Sequence, residues 1–204
     1  MKITNLRLIN IASVLLVVAP VAIGSALFPP THEPVPSNHV VSEPSAIAAV
    51  TDPQIAAIVV AANTVDIKTG ELAQSKTKNS KVKEFADTMV RDHTAVNKTA
   101  VDLVTKLGVT PEENDTSRSL TSSGDQMRER LRILSGKDFD IAYINNEVTY
   151  HALVIKALDD TLIPSAQNAE LKALLVKVRP SFVAHLKHAE QLQASMDGKN
   201  SSAK

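Results

Sequence analysis

The segment VKEFADTMVRDHTAVNKTAVDLVTKL (residues 82–107) decides the fold, because its apolar residues recur at the three- and four-residue steps of an α-helix. Such a face predicts a helix that packs inward against other helices. Because burying an unpaired polar group costs roughly 1–3 kcal/mol, the one imidazole on this face needs a partner in the core. The face comprises Val82, Ala86, Met89, His93, Val96, Ala100, Leu103 and Leu107.

The same spacing predicts three more helices. The first begins at Asp52-Pro53, with Asp52 as the N-cap, and ends near Ser75. The third covers about 138–163, and the fourth starts at a cap on Ser165 or Asn168 and ends at Asp197-Gly198. The fourth helix repeats the pattern of the second, with a single imidazole on its apolar face: Leu171, Leu175, Val178, Phe182, His185, Ala189, Leu192 and Met196.

The lengths of the connections predict how these helices are joined. A short polar turn at 76–80 and another at Pro164 each predict a helical hairpin. Residues 109–137 form a long, mainly polar link, in which only 126–134 carry a helical pattern. No segment alternates convincingly with a period of two. We therefore predict an all-α, ferritin-like four-helix bundle over residues 52–198, with one long crossover between helices 2 and 3 and a polar tail at 199–204.

The N-terminal segment predicts export from the cytoplasm. Residues 1–28 combine Lys2 and Arg7 with the apolar run IASVLLVVAPVAIGSALF, which is typical of a signal peptide and nearly long enough for a membrane anchor. Residues 29–51 hold five prolines and predict a semi-rigid tether. Both alternatives place the domain in the periplasm or otherwise outside the cytoplasm, with membrane contact only through an uncleaved N-terminal segment.

Composition excludes several classes of function. The 22 basic and 22 acidic side chains balance, so nucleic-acid binding has no electrostatic support. The chain has no cysteine, which excludes disulfides, thiolate metal sites and cysteine nucleophiles. It also lacks a Gly-x-Ser-x-Gly elbow, a phosphate-binding glycine loop and a His-Glu-x-x-His motif, so no catalytic residue is assigned.

Five polar residues on the apolar helix faces form the candidate site. Imidazole and carboxylate groups are ligands for Fe, Cu or Zn, and helical bundles build such sites from facing helices. The alternative is a structural layer in which the carboxylates hold the imidazoles by hydrogen bonds. Counting about 1.5 Å per residue from the turns puts His151 and His185 about two turns apart in height. Tyr143 and Tyr150 are interpreted as core aromatics. The candidate ligands are Asp66, His93, Glu147, His151 and His185.

Three segments resemble a bacterial exported family of unknown function, the domain of unknown function 4142. They are KVKEFADTMVRDH (81–93), FDIAYINNEVTYH (139–151) and RPSFVAHLKHA (179–189). Members of that family are often labelled outer-membrane proteins, and the resemblance implies a ferritin-like fold. It also implies Asp92-His93, His151 and His185 as marked polar positions, with Asp66 where glutamate is usual. The resemblance implies no activity.

Two hypotheses about function follow. The first is a non-catalytic binding or envelope-stress role, with the histidines as a structural polar layer and an unidentified protein partner. The alternative is a metal-binding bundle for storage, sensing or redox chemistry. A true di-iron oxidase is disfavoured, because Val90 and Phe182 stand where a Glu-x-x-His motif would place glutamate before His93 and His185.

Overall fold

A computed structural model of the chain describes residues 50–201, with side chains as far as Met196. The predicted signal or anchor (1–28), all but the end of the tether (29–51) and residues 202–204 of the tail lie outside the described residues. The described part is all-α and contains no strand. Its helices are α1 (Asp52–Lys76), α2 (Ser80–Lys106), α3 (Asp115–Arg132), α4 (Gly136–Ala157), α5 (Ile163–Ser165) and α6 (Ala169–Ser201), and a π-helical turn at Leu158–Leu162 joins α4 to α5.

Hydrogen bonds between distant residues establish the directions of the helices. The amide of Glu112 donates to the carbonyl of Pro53 (3.0 Å), so the chain that leaves α2 is beside the beginning of α1. The Lys76 ammonium donates to the carbonyl of Arg132 (2.6 Å), so α3 ends where α1 ends. Helices α2 and α4 therefore begin at the same end of the bundle and run in the same direction.

Helix α3 corrects the prediction for residues 109–137. The polar stretch before residue 126 is helical from Asp115, because Asn114 and Ser117 each accept a hydrogen bond from the other's backbone amide. Gly124 then lets α3 lie close to α1. A Cβ atom added at Gly124 would lie 2.7 Å from Cγ2 of Val65. The crossover is thus a packed helix rather than a mainly irregular link.

The beginning of α1 differs from the prediction in its cap. Thr51, not Asp52, is the N-cap residue, and its side-chain oxygen accepts from the amide of Gln54 (3.4 Å). The Asp52 carboxylate instead accepts from the amides of Gln167 (2.9 Å) and Asn168 (2.8 Å). This contact fixes the connection between α5 and α6 beside the start of α1.

Two helix ends also differ from the predicted positions. The third predicted helix runs through the π-helical turn and Pro164 to Ser165, because the widened turn accommodates a residue that has no amide hydrogen. Helix α6 starts at Ala169 with Asn168 as its cap, as one predicted alternative had it. Its backbone stays helical as far as Ser201, beyond the predicted end at Asp197-Gly198.

The core consists of two apolar clusters with a polar layer between them along the helices. One cluster includes Ile55, Val59, Ala100, Val154, Leu175 and Phe182. The other includes Ala73, Met89, Tyr143, Ile144, Ala189 and Leu192. On α1, α2, α4 and α6 alike, the predicted ligands stand between members of the two clusters. Among the described helices, none combines the length and hydropathy needed to span a membrane.

Candidate metal centre

The structure brings all five predicted ligands into one buried cluster, which we call the core cluster. The rings of its three histidines lie 5.3–5.6 Å apart between centroids, although they come from α2, α4 and α6. Each of the five residues is at most 7% exposed. The ligands form two groups, and within each group the ligand atoms lie within 4.8 Å of one another. One group is His93, His151 and His185, and the other is Asp66, Glu147 and His151, so His151 belongs to both.

The two carboxyl groups lie against the imidazoles. Oδ2 of Asp66, on α1, is 3.4 Å from Nε2 of His93, a close contact that is not a hydrogen bond. Oε2 of Glu147 is 3.5 Å from Nδ1 of His151, one turn later on α4. Helices α1, α2, α4 and α6 thus each contribute at least one predicted ligand to the core cluster.

Each histidine directs one ring nitrogen at an acceptor that is not one of the five cluster side chains. His93 Nδ1 lies 2.8 Å from the side-chain oxygen of Asn63, and His151 Nδ1 lies 3.0 Å from the carbonyl oxygen of Glu147. His185 Nε2 lies 3.0 Å from a carboxylate oxygen of Asp92. Because acceptors of this kind hold the proton on the outer nitrogen, the other nitrogen of each ring carries a free lone pair.

Five side-chain atoms of the core cluster have no hydrogen-bond partner in the protein. They are Nε2 of His93, Nε2 of His151, Nδ1 of His185, Oδ2 of Asp66 and Oε2 of Glu147. Buried polar atoms in native proteins are nearly always hydrogen-bonded, and one left alone costs about 1–3 kcal/mol. An ion or a water molecule bound among the five atoms would supply the missing partners.

Burial keeps the imidazoles neutral. It holds the pKa of His93 well below its ordinary value, and the neighbouring His151 and His185 lower it further. Burial lowers the pKa of His151 to about 4, and the charge of His185 contributes a smaller part of this shift. Burial also lowers the pKa of His185, although the hydrogen bond to Asp92 opposes the shift. Neutral imidazole is the form that binds metals.

Burial also favours the protonated form of the two carboxyl groups. It raises the pKa of Asp66 well above its ordinary value, and the negative charge of Glu147 raises it further. Burial raises the pKa of Glu147 to about 8, although the side-chain interactions of Glu147 with Asn146 and Asp66 act in the opposite direction. A cation bound among these groups would displace their protons and supply the charge that the buried carboxylates lack.

Asp92 connects the core cluster to the surface. Its side chain is 32% exposed and accepts from both His185 and the guanidinium of Arg91 (2.7 Å). Partial burial opposes its ionisation, but these two hydrogen bonds outweigh that effect and hold the pKa of Asp92 below its ordinary value. Of the three outer partners, the Asn63 side chain and the Glu147 backbone are buried. His185 is thus the histidine whose outer partner reaches solvent.

An aromatic ring packs against two of the cluster's imidazoles. The ring of Phe182 lies 5.0 Å from that of His93 and 6.0 Å from that of His151. A cavity of about 540 Å³ lies instead where α2 and α4 begin, and its lining includes Lys78, Ser80 and Leu192 but no residue of the core cluster. The core cluster therefore lies apart from this cavity.

The structure also corrects parts of the predicted site. His151 and His185 are not two turns apart in height. Because α5 ends at Ser165 and α6 begins at Ala169, His151 lies farther from the connection between the two helices, and His185 nearer to it, than the sequence count assumed. Sequence reasoning missed Asn63, although it precedes Asp66 by one helical turn. His188 packs edge-on against Phe85 (5.2 Å between centroids) rather than joining the cluster.

Comparison with known protein families matches residues 39–192 to the family described as a domain of unknown function (DUF4142). That range covers all of α1 to α5 and most of α6, and with them every residue of the core cluster. No curated protein and no solved structure matches the chain significantly. The chain therefore belongs to the DUF4142 family, whose match confirms the resemblance read from its three histidine-containing segments.

Proposed function

We propose that this protein is an exported metal-binding helical bundle whose core cluster holds a first-row transition metal. One observation carries the proposal. Three imidazoles on three helices each have an outer partner on one ring nitrogen and none on the other, and ligand atoms of the three rings lie within 4.8 Å of one another. Outer partners of this kind orient metal-binding histidines in proteins and fix their tautomers.

The chemistry of the donors favours iron among the candidate metals. Imidazole nitrogen suits Fe, Cu and Zn alike, whereas carboxylate oxygen is a hard ligand that shifts the preference toward harder ions. Three nitrogens and two carboxylates would give a mixed, histidine-rich centre. Because its ligands are almost fully buried, we favour a redox or sensing role over the turnover of a large substrate.

A purely structural polar layer fits these observations less well. In such a layer the carboxylates and imidazoles would be expected to satisfy one another by hydrogen bonds. Here Oδ2 of Asp66 and Nε2 of His93 approach to 3.4 Å, yet neither has a hydrogen-bond partner. A bound cation accounts for both atoms, because both are then ligands.

The fold and location belong to the same proposal. Two helical hairpins joined by one crossover, with α2 and α4 parallel, favour ferritin-like connectivity in which α3 is the crossover. The basic and apolar N-terminal segment supports export, with action in the periplasm or at the envelope as a soluble or anchored protein.

Metal content tests the proposal. The full chain, without a histidine tag, is purified from the envelope fraction of a bacterial host, and bound metals are quantified by mass spectrometry before and after reloading with Fe, Cu or Zn. We expect near-stoichiometric metal in the wild type and loss of most of it in His93→Ala and His185→Ala. His188→Ala is the matched control, because that histidine lies on α6 outside the cluster. A folded wild type that takes up none of these metals would refute the proposal.

A further inference from the structure

Tyr143 carries a buried hydroxyl for which the protein supplies no hydrogen bond. It lies on α4, one turn before Glu147 and two turns before His151, on the same helix face. Its side chain is fully buried and its oxygen has no hydrogen-bond partner. A buried hydroxyl left in this state costs about 1–3 kcal/mol, so its placement needs an explanation beyond packing.

The ring of Tyr143 is held in place by two other aromatic rings. Phe85 meets it edge-on at 6.1 Å between centroids, and Phe139 stacks on it at 6.2 Å. The nearby Tyr150 differs, because its hydroxyl donates to the carbonyl of Ala62 (3.0 Å). Tyr150 is therefore a satisfied core residue, as the sequence suggested for both tyrosines, whereas Tyr143 is not.

Tyr143 and Glu147 are buried one turn apart on the same face of α4. Burial raises the pKa of the phenol, and the negative charges of Glu147 and Asp66 raise it further. Oε2 of Glu147 and Oδ2 of Asp66 also lack hydrogen-bond partners. Asp66, Glu147 and Tyr143 thus each carry a buried oxygen that has no hydrogen-bond partner in the protein.

We propose that Tyr143 is a further ligand of the metal in the core cluster, binding as phenolate on the side of Asp66 and Glu147. This inference rests on the proposed function. A cation among the three oxygens removes the charge that disfavours the phenolate, and the phenol proton leaves to solvent when the metal binds. Two carboxylates and a phenolate form a hard oxygen set, so the centre takes Fe³⁺ in preference to Cu or Zn.

Visible absorption of the iron-loaded protein tests this assignment. The full chain is loaded with ferric citrate, and free iron is removed. We expect a phenolate-to-iron charge-transfer band, with resonance Raman ring modes that shift when the protein contains ring-deuterated tyrosine. Tyr143→Phe should lose the band, and Tyr150→Phe, the matched control, should keep it. The isotope shift identifies a tyrosine ligand even if Tyr143→Phe does not fold.

Each contrary outcome has a distinct meaning. Iron-loaded wild type without the band, or a band that survives in Tyr143→Phe, overturns the phenolate ligand while the metal centre stands. Uptake of zinc or copper but not of iron also overturns the phenolate inference alone. A protein that binds none of the three metals overturns the proposed function, and the inference with it.

Discussion

His185 and Asp92 join α6 to α2 at the edge of the core cluster, with Nε2 of the imidazole 3.0 Å from Oδ2 of the carboxylate. This contact leaves Nδ1 of His185 facing His93 and His151. It is also the point at which the buried cluster meets solvent, because the Asp92 side chain is 32% exposed. The orientation of one proposed ligand therefore depends on a residue near the surface.

Asp92→Ala should weaken metal binding about 10- to 100-fold, the usual effect of losing an outer partner of a ligating histidine. Without the carboxylate, the His185 ring is free to rotate and to place its proton on the inner nitrogen. Competition with a colorimetric chelator measures the change in affinity. Asp87→Ala is the control, because Asp87 lies on α2 in an exposed ion pair with Lys83. Equal affinities in the two variants would contradict the prediction.

The metal-free protein should lose stability as the pH rises from about 6.5 to above 8. Burial raises the pKa of Glu147 from 4.5 to about 8, so the folded chain holds a proton that the unfolded chain has lost. The stabilisation is complete below pH 4.5 and disappears as the pH passes 8. Thermal unfolding of the metal-free wild type at several pH values should show this decline. A decline of the same size in Glu147→Gln would contradict the assignment.

Acidification should act through the imidazoles, in the opposite direction. Burial lowers the pKa of His151 from 6.5 to about 4, so the unfolded chain binds protons before the folded chain does. Stability is then lost as the pH falls from 6.5 toward 4. Because protonation of Glu147 offsets this loss in the wild type, the effect is best measured in metal-free Glu147→Gln. A variant whose unfolding temperature stays constant from pH 6.5 to 4 would contradict the prediction.

Metal should raise the unfolding temperature, and a chelator should reverse the increase. A ligand that binds only the folded state stabilises it by about 2.7 kcal/mol at 100 times its dissociation constant. Calorimetry of the iron-loaded and chelator-treated protein measures the difference. We expect the increase in wild type and in His188→Ala, and little or none in His93→Ala. A metal-induced shift of the wild-type size in His93→Ala would show that the metal binds elsewhere.

Gly124→Ala should destabilise the bundle by about 1–3 kcal/mol, a typical cost of overpacking. The new Cβ atom would lie 2.7 and 2.9 Å from the two γ-carbons of Val65, so α3 and α1 would have to move apart. Urea unfolding measures the loss, and Ser123→Ala on the exposed face of α3 is the control. Because the clash needs both side chains, Val65→Ala with Gly124→Ala should cost less than the sum of the single changes. Strict additivity would contradict the close contact.

Much of the candidate site was predictable because each ligand lies on the apolar face of its own helix. His93 and His185 interrupt otherwise apolar faces at three- and four-residue spacing, and the structure buries both. Asp66, Glu147 and His151 follow the same rule. The outer partners Asn63 and Asp92 were harder to predict. Their contacts depend on how neighbouring helices approach.

Helix α3 and Tyr143 show two other limits of prediction. The segment that forms α3 is polar and has few apolar residues, so its helix depends on the Asn114–Ser117 cap and on packing of Gly124 against α1. Tyr143 has the pattern of a core aromatic, and only the surroundings of its hydroxyl distinguish it from Tyr150. Neither the start of α3 nor the missing partner of the Tyr143 hydroxyl has a periodic signal in the sequence.

The sequence by itself determined the all-helical class, the inward faces of the helices and the identity of the five polar residues on them. These properties are local, because side chains three or four residues apart share a helix face whatever surrounds it. Only the tertiary structure decided that the five meet at one level, and which nitrogen of each histidine faces inward. That level depends on where α5 ends and α6 begins, and the free nitrogen depends on Asn63, Asp92 and a backbone carbonyl that reach each ring only when the helices pack.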